Sequence, residues 1–235
     1  MCGRFVQYEA RSDYLAALNS PLACQAAETE IPIRRYNISP GSRVLLFHRR
    51  GAELHLDAVT WGYHPQWVKE NHQPAMVSTR SQTAPYSRLF KPLWRRGRAL
   101  IPADGWYEWR TDPRHTTRKQ PNFIYHIARR PLFFAAIGRF DSASPADHDG
   151  DGVVLLTGPG ERVPVDSQSR PPLVFTGESA RQWLDPALDR DDACALAEAS
   201  ALPPTAFVWH PVSSAVGNIY NDSAQLIPPI TDPVI

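Results

Sequence analysis

Residues 98–110 read Arg98-Ala99-Leu100-Ile101-Pro102-Ala103-Asp104-Gly105-Trp106-Tyr107-Glu108-Trp109-Arg110. Both ends of this stretch, 98–101 and 106–110, read as strands, because β-branched and aromatic side chains fit a pleated, half-buried surface. Downstream, 122–127, 132–138 and 153–157 repeat the pattern. Upstream, 44–47 and 54–60 read as two strands joined across Arg49-Arg50-Gly51 as a hairpin. Helical signals are fewer. Residues 13–19 place Leu15 and Leu18 on one side. Residues 178–184 follow Thr176, a candidate N-cap, and 191–200 have an acidic start and an alanine-rich body. The polar stretches 111–120 and 141–152 read as loops. No internal repeat and no Gly/Ser linker interrupts the chain. The expected fold is α+β: one domain over 1–235, with a large, mostly antiparallel, barrel-like sheet and a few peripheral helices.

The chain has 235 residues, enough for one domain or a tight pair. Apolar residues make up 43% and charged residues 21%, a globular balance and not a disordered one. No apolar run approaches the roughly 18 residues of a membrane helix. The start lacks the apolar core of a secretion signal, so a cytoplasmic protein with no membrane partner is expected. Cys2, Cys24 and Cys194 are odd in number and form no C-x-x-C, which argues against a disulfide framework or a zinc ribbon. Proline, at 23 residues, implies short segments with fixed turns. A monomer is expected.

Net charge is only +1, but it is unevenly spread. Residues 80–130 hold 12 basic and 3 acidic groups, a net +9; residues 131–235 hold 5 and 14, a net −9. Of the 25 basic residues, 22 are arginine, whose planar fork suits bidentate phosphate contacts. A basic middle is the footprint of a nucleic-acid surface. It is equally what folding +9 against −9 requires, and an arginine-rich genome also favours Arg over Lys.

Several motifs fail. Asp147-His148-Asp149-Gly150-Asp151-Gly152 opens like a calcium loop, but its twelfth position is Gly158 instead of Glu, and 153–157 read as a strand. No G-x-S-x-G, P-loop, G-x-G-x-x-G or H-E-x-x-H occurs. No metal or other cofactor is expected. His48 and His55 read as surface or hairpin residues. His210, beside Trp209, reads as a hydrogen-bonded structural group, with a general base as the other reading.

Cys2 follows the initiator Met and has a small side chain, so trimming would expose it as the N-terminus. A free α-amine (about 7.7–8.0) would then sit beside a thiol (about 8.5). The amine condenses with an aldehyde to a Schiff base, and the thiolate closes on the imine carbon as a thiazolidine. Arg4, two positions on, favours the thiolate. The bland reading is a small residue at a chain end.

From Met1-Cys2-Gly3-Arg4-Phe5 onward the chain resembles the SOS response-associated peptidase family, which binds single-stranded DNA and traps abasic sites. The resemblance runs through Arg35-Tyr36-Asn37-Ile38-Ser39-Pro40-Gly41, Trp61-Gly62-Tyr63 and Phe90-Lys91-Pro92-Leu93-Trp94. It continues through Ala103-Asp104-Gly105-Trp106-Tyr107-Glu108-Trp109, His210-Pro211-Val212-Ser213 and Val216-Gly217-Asn218. The resemblance implies that Cys2, freed of Met1, cross-links the ring-opened aldehyde of an abasic site. Glu108 is then the acid/base carboxylate, although a salt bridge to a nearby arginine would also explain it. The family is also credited with proteolytic self-processing, which leaves a thiol peptidase of the hydrolase class as another reading beside a lyase-like cross-linker.

Two departures from the family pattern stand out. Where the family has Asn-Ala-Arg-x-Glu, this chain has Ser78-Thr79-Arg80-Ser81-Gln82. Where it has His-x-Arg-Met-Pro, this chain has Gln168-Ser169-Arg170-Pro171-Pro172. Gln exchanges no proton near neutral pH, and Ser78 is shorter than Asn. Slowed chemistry, or a relative that binds DNA without bonding to it, follows from these losses. The retained arginines Arg4, Arg80 and Arg170, with Arg88 from the basic middle, are expected on DNA. Among the aromatics, Trp67 reads as a loop residue free to stack on a base, Trp109 as a second contact, and Trp106 as core.

Overall fold

The computed structural model describes residues 3–26, 33–111, 119–139, 152–158 and 170–231. Two β-sheets pack face to face. The smaller has five strands, built from β1 (Phe5–Gln7), β3 (Arg35–Ile38), β8 (Gly105–Thr111), β9 (Lys119–His126) and β13 (Phe207–Pro211). Its order is β13-β9-β8-β1-β3. The larger follows the order β2-β5-β4-β7-β10-β11-β6, with β12 beside β10. Its strands are β2 (Cys24–Ala26), β4 (Arg43–Arg50), β5 (Glu53–Thr60), β6 (Ser78–Arg80) and β7 (Arg98–Ala103). Then come β10 (Leu132–Arg139), β11 (Gly152–Thr157) and β12 (Val174–Phe175). The expected α+β class and antiparallel bias are present. The barrel is not: each sheet is open, with β13 and β3 ending one and β2 and β6 ending the other.

Alternation along the large sheet explains why it is covered on both faces. Leu100, Phe133, Ala135, Ile137, Val154 and Leu156 point to one side, where helices cover them. Ala99, Ile101, Phe134, Ala136, Val153 and Leu155 point to the other, against Phe5, Trp106, Ile124 and Phe207 of the small sheet. The strands β7, β10 and β11 are therefore apolar at nearly every position. The helices are α1 (Arg11–Leu18), α2 (Gln66–Glu70), α3 (Lys91–Arg96), α4 (Gly177–Trp183) and α5 (Arg190–Ala199). Thr176 caps α4, its hydroxyl accepting from the Ser179 N–H. Trp94 of α3 and Trp183 of α4 meet edge to face at 5.1 Å over the sheet.

Between the sheets, the buried Gln7 amide replaces a greasy contact with a polar bolt. Its Nε2 donates to the Leu45 and Pro102 carbonyls at 3.2 and 2.7 Å, and its Oε1 accepts from the Leu45 N–H. One side chain of β1 thus locks onto β4 and β7 at once. The outer face of the small sheet is closed by Val212, Val216 and Leu226 from the C-terminal segment.

His48 and His55 are hairpin residues, paired across β4 and β5, but His48 is not a surface one. It lies on β4, in the sheet interior, fully buried, with Nε2 2.9 Å from Asp57 and its ring stacked on His55. Burial holds it below the usual imidazole range. His210 is the structural group expected, its Nε2 2.7 Å from the Ile227 carbonyl. The first five residues of the calcium-like motif lie outside the described residues; from Gly152 the chain is β11. No described helix is long and apolar enough to cross a membrane.

Candidate functional site

Strand β8 supplies the centre. Gly105 opens it, and a Cβ there would meet the Ile124 carbonyl and the Phe123 ring at 2.5 Å, so only glycine lets β8 lie against β9. Trp106 then fills the space between the sheets, fully buried against Phe134 and Phe207, as core. Two positions on, Glu108 points to the same side and is 4% exposed. It stands opposite Asn122 of β9. Asn122 and Gln120 are buried with it and satisfied locally. Asn122 donates to the Gln120 carbonyl, and Gln120 to those of Pro121 and Val212.

Strand β1 runs antiparallel along β8, with Phe5 opposite Trp106 and Val6 opposite Gly105. The register continues: the Tyr107 N–H donates to the Arg4 carbonyl at 2.9 Å. One more step brings Gly3 opposite Glu108. The Arg4 side chain turns to the other side, where its guanidinium lies 3.4 Å from the Gly217 carbonyl, and burial pulls its pKa down.

Two polar hubs hold this strand pair, and neither was given a role in the sequence reading. Asp104, at the β7–β8 corner, accepts from the Tyr8 N–H, the Glu9 N–H and the Tyr14 hydroxyl at 2.6, 3.3 and 2.6 Å. Burial nevertheless pushes its carboxyl up to about 6. Asn37, on β3, is 2% exposed, and its Nδ2 faces the carbonyls of Val216, Asn218 and Asn221 at 2.8–3.1 Å. Asp222 returns the grip, accepting from the Arg35 side chain and from the backbone N–H groups of Tyr36 and Asn37. The segment 216–222 beside Arg4 is therefore fixed. Both hubs sit in quoted fragments, Arg35–Gly41 and Ala103–Trp109, which was the only signal for them.

Ser78 and the retained Arg80 and Arg170 gather at one end of the large sheet. On β6, Ser78 pairs in parallel with Leu155, and Arg80 with Thr157. Paired residues share a face, so both point toward the gap between the sheets. Pro172 bridges the other side of Thr157, which puts Arg170 at the same end. Trp106, Gly158, Pro171 and Pro172 line one small cavity, joining this end to the β8 side that bears Glu108. Arg80 and Arg88 are exposed. Trp67 is 51% exposed as expected, though on the short helix α2 and not a loop. Trp109 is half-buried against the outer cluster of the small sheet. Cys2 and Gln168 lie outside the described residues. Burial pushes the thiols of Cys24 and Cys194 up, the opposite of what activates a nucleophile. Among the described residues, no three His, Cys, Asp or Glu are arranged to hold a metal.

The comparisons agree with this layout. A family model described as SOS response associated peptidase (SRAP) matches residues 1–219. An Escherichia coli protein, the abasic site processing protein YedK, is 41% identical over 232 residues, covering 98% of this chain and all of that one. The abasic site processing protein HMCES of Rattus norvegicus is 29% identical, across 83% of this chain and 64% of that protein. Among solved structures, a phage-related protein from Bordetella bronchiseptica superposes with a TM-score of 0.75 at 33% identity, covering 91% and 95% of the two chains.

Proposed function

Because the chain belongs to the SOS response-associated peptidase family, we propose that it processes abasic sites in DNA, cross-linking them through Cys2 as a single unit over 1–235. One observation carries this reading: the described start of the chain lies along β8 with Gly3 opposite the buried Glu108. Cys2 is one peptide bond from Gly3, about 3.8 Å between Cα atoms.

The chemistry balances with water as the only product besides the adduct. The Cys2 amine, free once Met1 is removed, adds to the C1′ aldehyde of the ring-opened sugar. The carbinolamine loses its hydroxyl as water, giving an iminium ion whose nitrogen keeps its hydrogen. The thiolate then bonds to the iminium carbon, and the C=N electron pair returns to nitrogen to complete the thiazolidine. Glu108 gives its proton to the departing hydroxyl and regains one from the thiol. Its burial raises the worth of such a charge-balanced exchange. Arg80 and Arg170 hold flanking phosphates of a single strand, Arg4 and Arg88 add positive potential, and Trp67 and Trp109 offer stacking surfaces.

The test is a denaturing gel of the protein with abasic single-stranded DNA. A heat-stable adduct is expected, absent in Cys2→Ala and slowed in Glu108→Gln. An adduct that persists in Cys2→Ala would identify another nucleophile. Ser78 and Gln168, in place of Asn and His, favour a second reading: binding without a bond. Native-gel binding with no denaturation-resistant adduct would establish it instead.

A further inference from the structure

The basic middle of the chain divides in the fold. Arg80 faces the gap between the sheets. Lys91, Arg95 and Arg96 do not: they stand on α3, which packs through Leu93 and Trp94 on the opposite, helix-covered face of the large sheet. There they border a groove of about 580 Å³, closed on its other side by the start of α5.

Five cations and two carboxylates line this groove, and the carboxylates are used up locally. Asp189 accepts from the N–H groups of Asp191 and Asp192 at 2.8 Å, as the cap of α5. Asp191 accepts from Arg190 Nε at 2.8 Å. Arg98 forms the floor and is also spent, donating to the carbonyls of Trp94, Trp183, Asp185 and Leu188. Lys91, Arg95 and Arg96 are exposed and have no hydrogen-bond or ion-pair partner among the described residues.

Folding does not explain all three. Cations in the last turn suit a helix dipole, which covers Arg95 and Arg96 but not Lys91 in the first turn. Lys91 and Arg95 are also four residues apart, where like charges repel. A polyanion in the groove relieves both conflicts. The surface leading there from the candidate site is continuous. Ser81 and Gln82, just after β6, share a shallow cavity with Tyr86 and Glu198. Tyr86 is 66% exposed, and the Arg190 guanidinium sits 5.6 Å from its ring. Arg88 is exposed between Tyr86 and α3.

We propose that this groove binds the phosphodiester backbone of the same DNA strand beyond the site, leading it from Arg80 past Tyr86 onto α3. The inference rests on the DNA substrate proposed above. It is tested by the length dependence of binding, measured by fluorescence anisotropy with oligonucleotides of about 6 and about 20 nucleotides. A Lys91→Gln, Arg95→Gln, Arg96→Gln variant should bind the short strand within about twofold of wild type. For the long strand, its slope of log K against log salt should be shallower by about 2, at roughly 0.7 per lost phosphate contact. Arg80→Ala should weaken both lengths. Equal slopes for wild type and the triple variant on the long strand would overturn the groove while leaving the DNA site standing. So would displacement of a fluorescent polyglutamate by inorganic anions alone, with long DNA unaffected by the variant, which would mark an acidic protein surface. Failure of the wild type to bind either strand would overturn both readings.

Discussion

Replacing Asp104 by Asn sets two opposed effects against each other at one buried carboxyl. Three donors within 3.3 Å favour its ionised form, and burial disfavours it. Burial prevails, holding the group near 6 against an ordinary 3.8. The folded protein thus keeps this proton to higher pH than the unfolded chain does. Stability from this group is then highest below about pH 4 and declines as pH rises to about 6, beyond which it is flat. A shift of roughly 2 pH units corresponds to about 3 kcal/mol. Asn keeps an acceptor for Tyr8 and Tyr14 and has no charge to bury, so Asp104→Asn should lack the decline. Urea denaturation of both proteins from pH 4.5 to 8 gives the difference curve, in which all other titrations cancel. Wild type should lose about 2 kcal/mol relative to the variant across that window. A difference that is flat, or that grows in favour of wild type with pH, would show that the three donors outweigh burial and refute the reasoning.

Asn37→Ala removes the donor shared by the buried Val216 carbonyl and the partly buried bonds to Asn218 and Asn221, and should cost about 1–3 kcal/mol in denaturant unfolding, with faster amide exchange over 216–221; an unchanged exchange pattern would show the segment is held elsewhere. Arg80→Ala should weaken single-stranded DNA binding at every sequence and reduce the salt slope by about 0.7, whereas an unaltered slope would remove Arg80 from the phosphates. Gln168→His should speed cross-linking, by up to the 10²–10⁴ that a general acid or base typically contributes. Adding Ser78→Asn should raise the rate non-additively if the two side chains share one pocket. A wild type already as fast as Gln168→His at saturating DNA would show that both departures are neutral.

The strands legible in the sequence are those buried on two faces. Residues 98–101, 132–138 and 153–157 read as apolar runs because β7, β10 and β11 lie between helices and the second sheet. The hairpin at Gly51 was equally plain. The unread strands are β1, β2, β3, β6, β12 and β13, two to five residues each. They have too few positions to show a period, and their pairing partners lie far along the chain. The hairpin position of His48 was legible but its burial was not: β4 is buried at successive positions, so a polar residue there gave no sign of which way it faced. Glu108 was legible as a candidate, but its burial depends on β9 setting Asn122 opposite it. Asn37 and Asp222, 185 positions apart, could be joined only by the fold.

The position of β1 also sets a clock on synthesis. It is an inner strand of its sheet, flanked by β3 and β8, yet it is made before either of them. Pairing with β3 alone gives a two-stranded ribbon, which is marginal in water. The partner that fixes β1 ends at Thr111, about 100 residues later, or roughly 5–20 s at 5–20 residues per second. Through that interval β1 lacks the strand that anchors it on one side. Arg80, Glu108 and Arg170 arrive in turn, and the last of them completes the group only when three-quarters of the chain exists. The molecule therefore makes β1 early and anchors it late, an order written into its strand sequence.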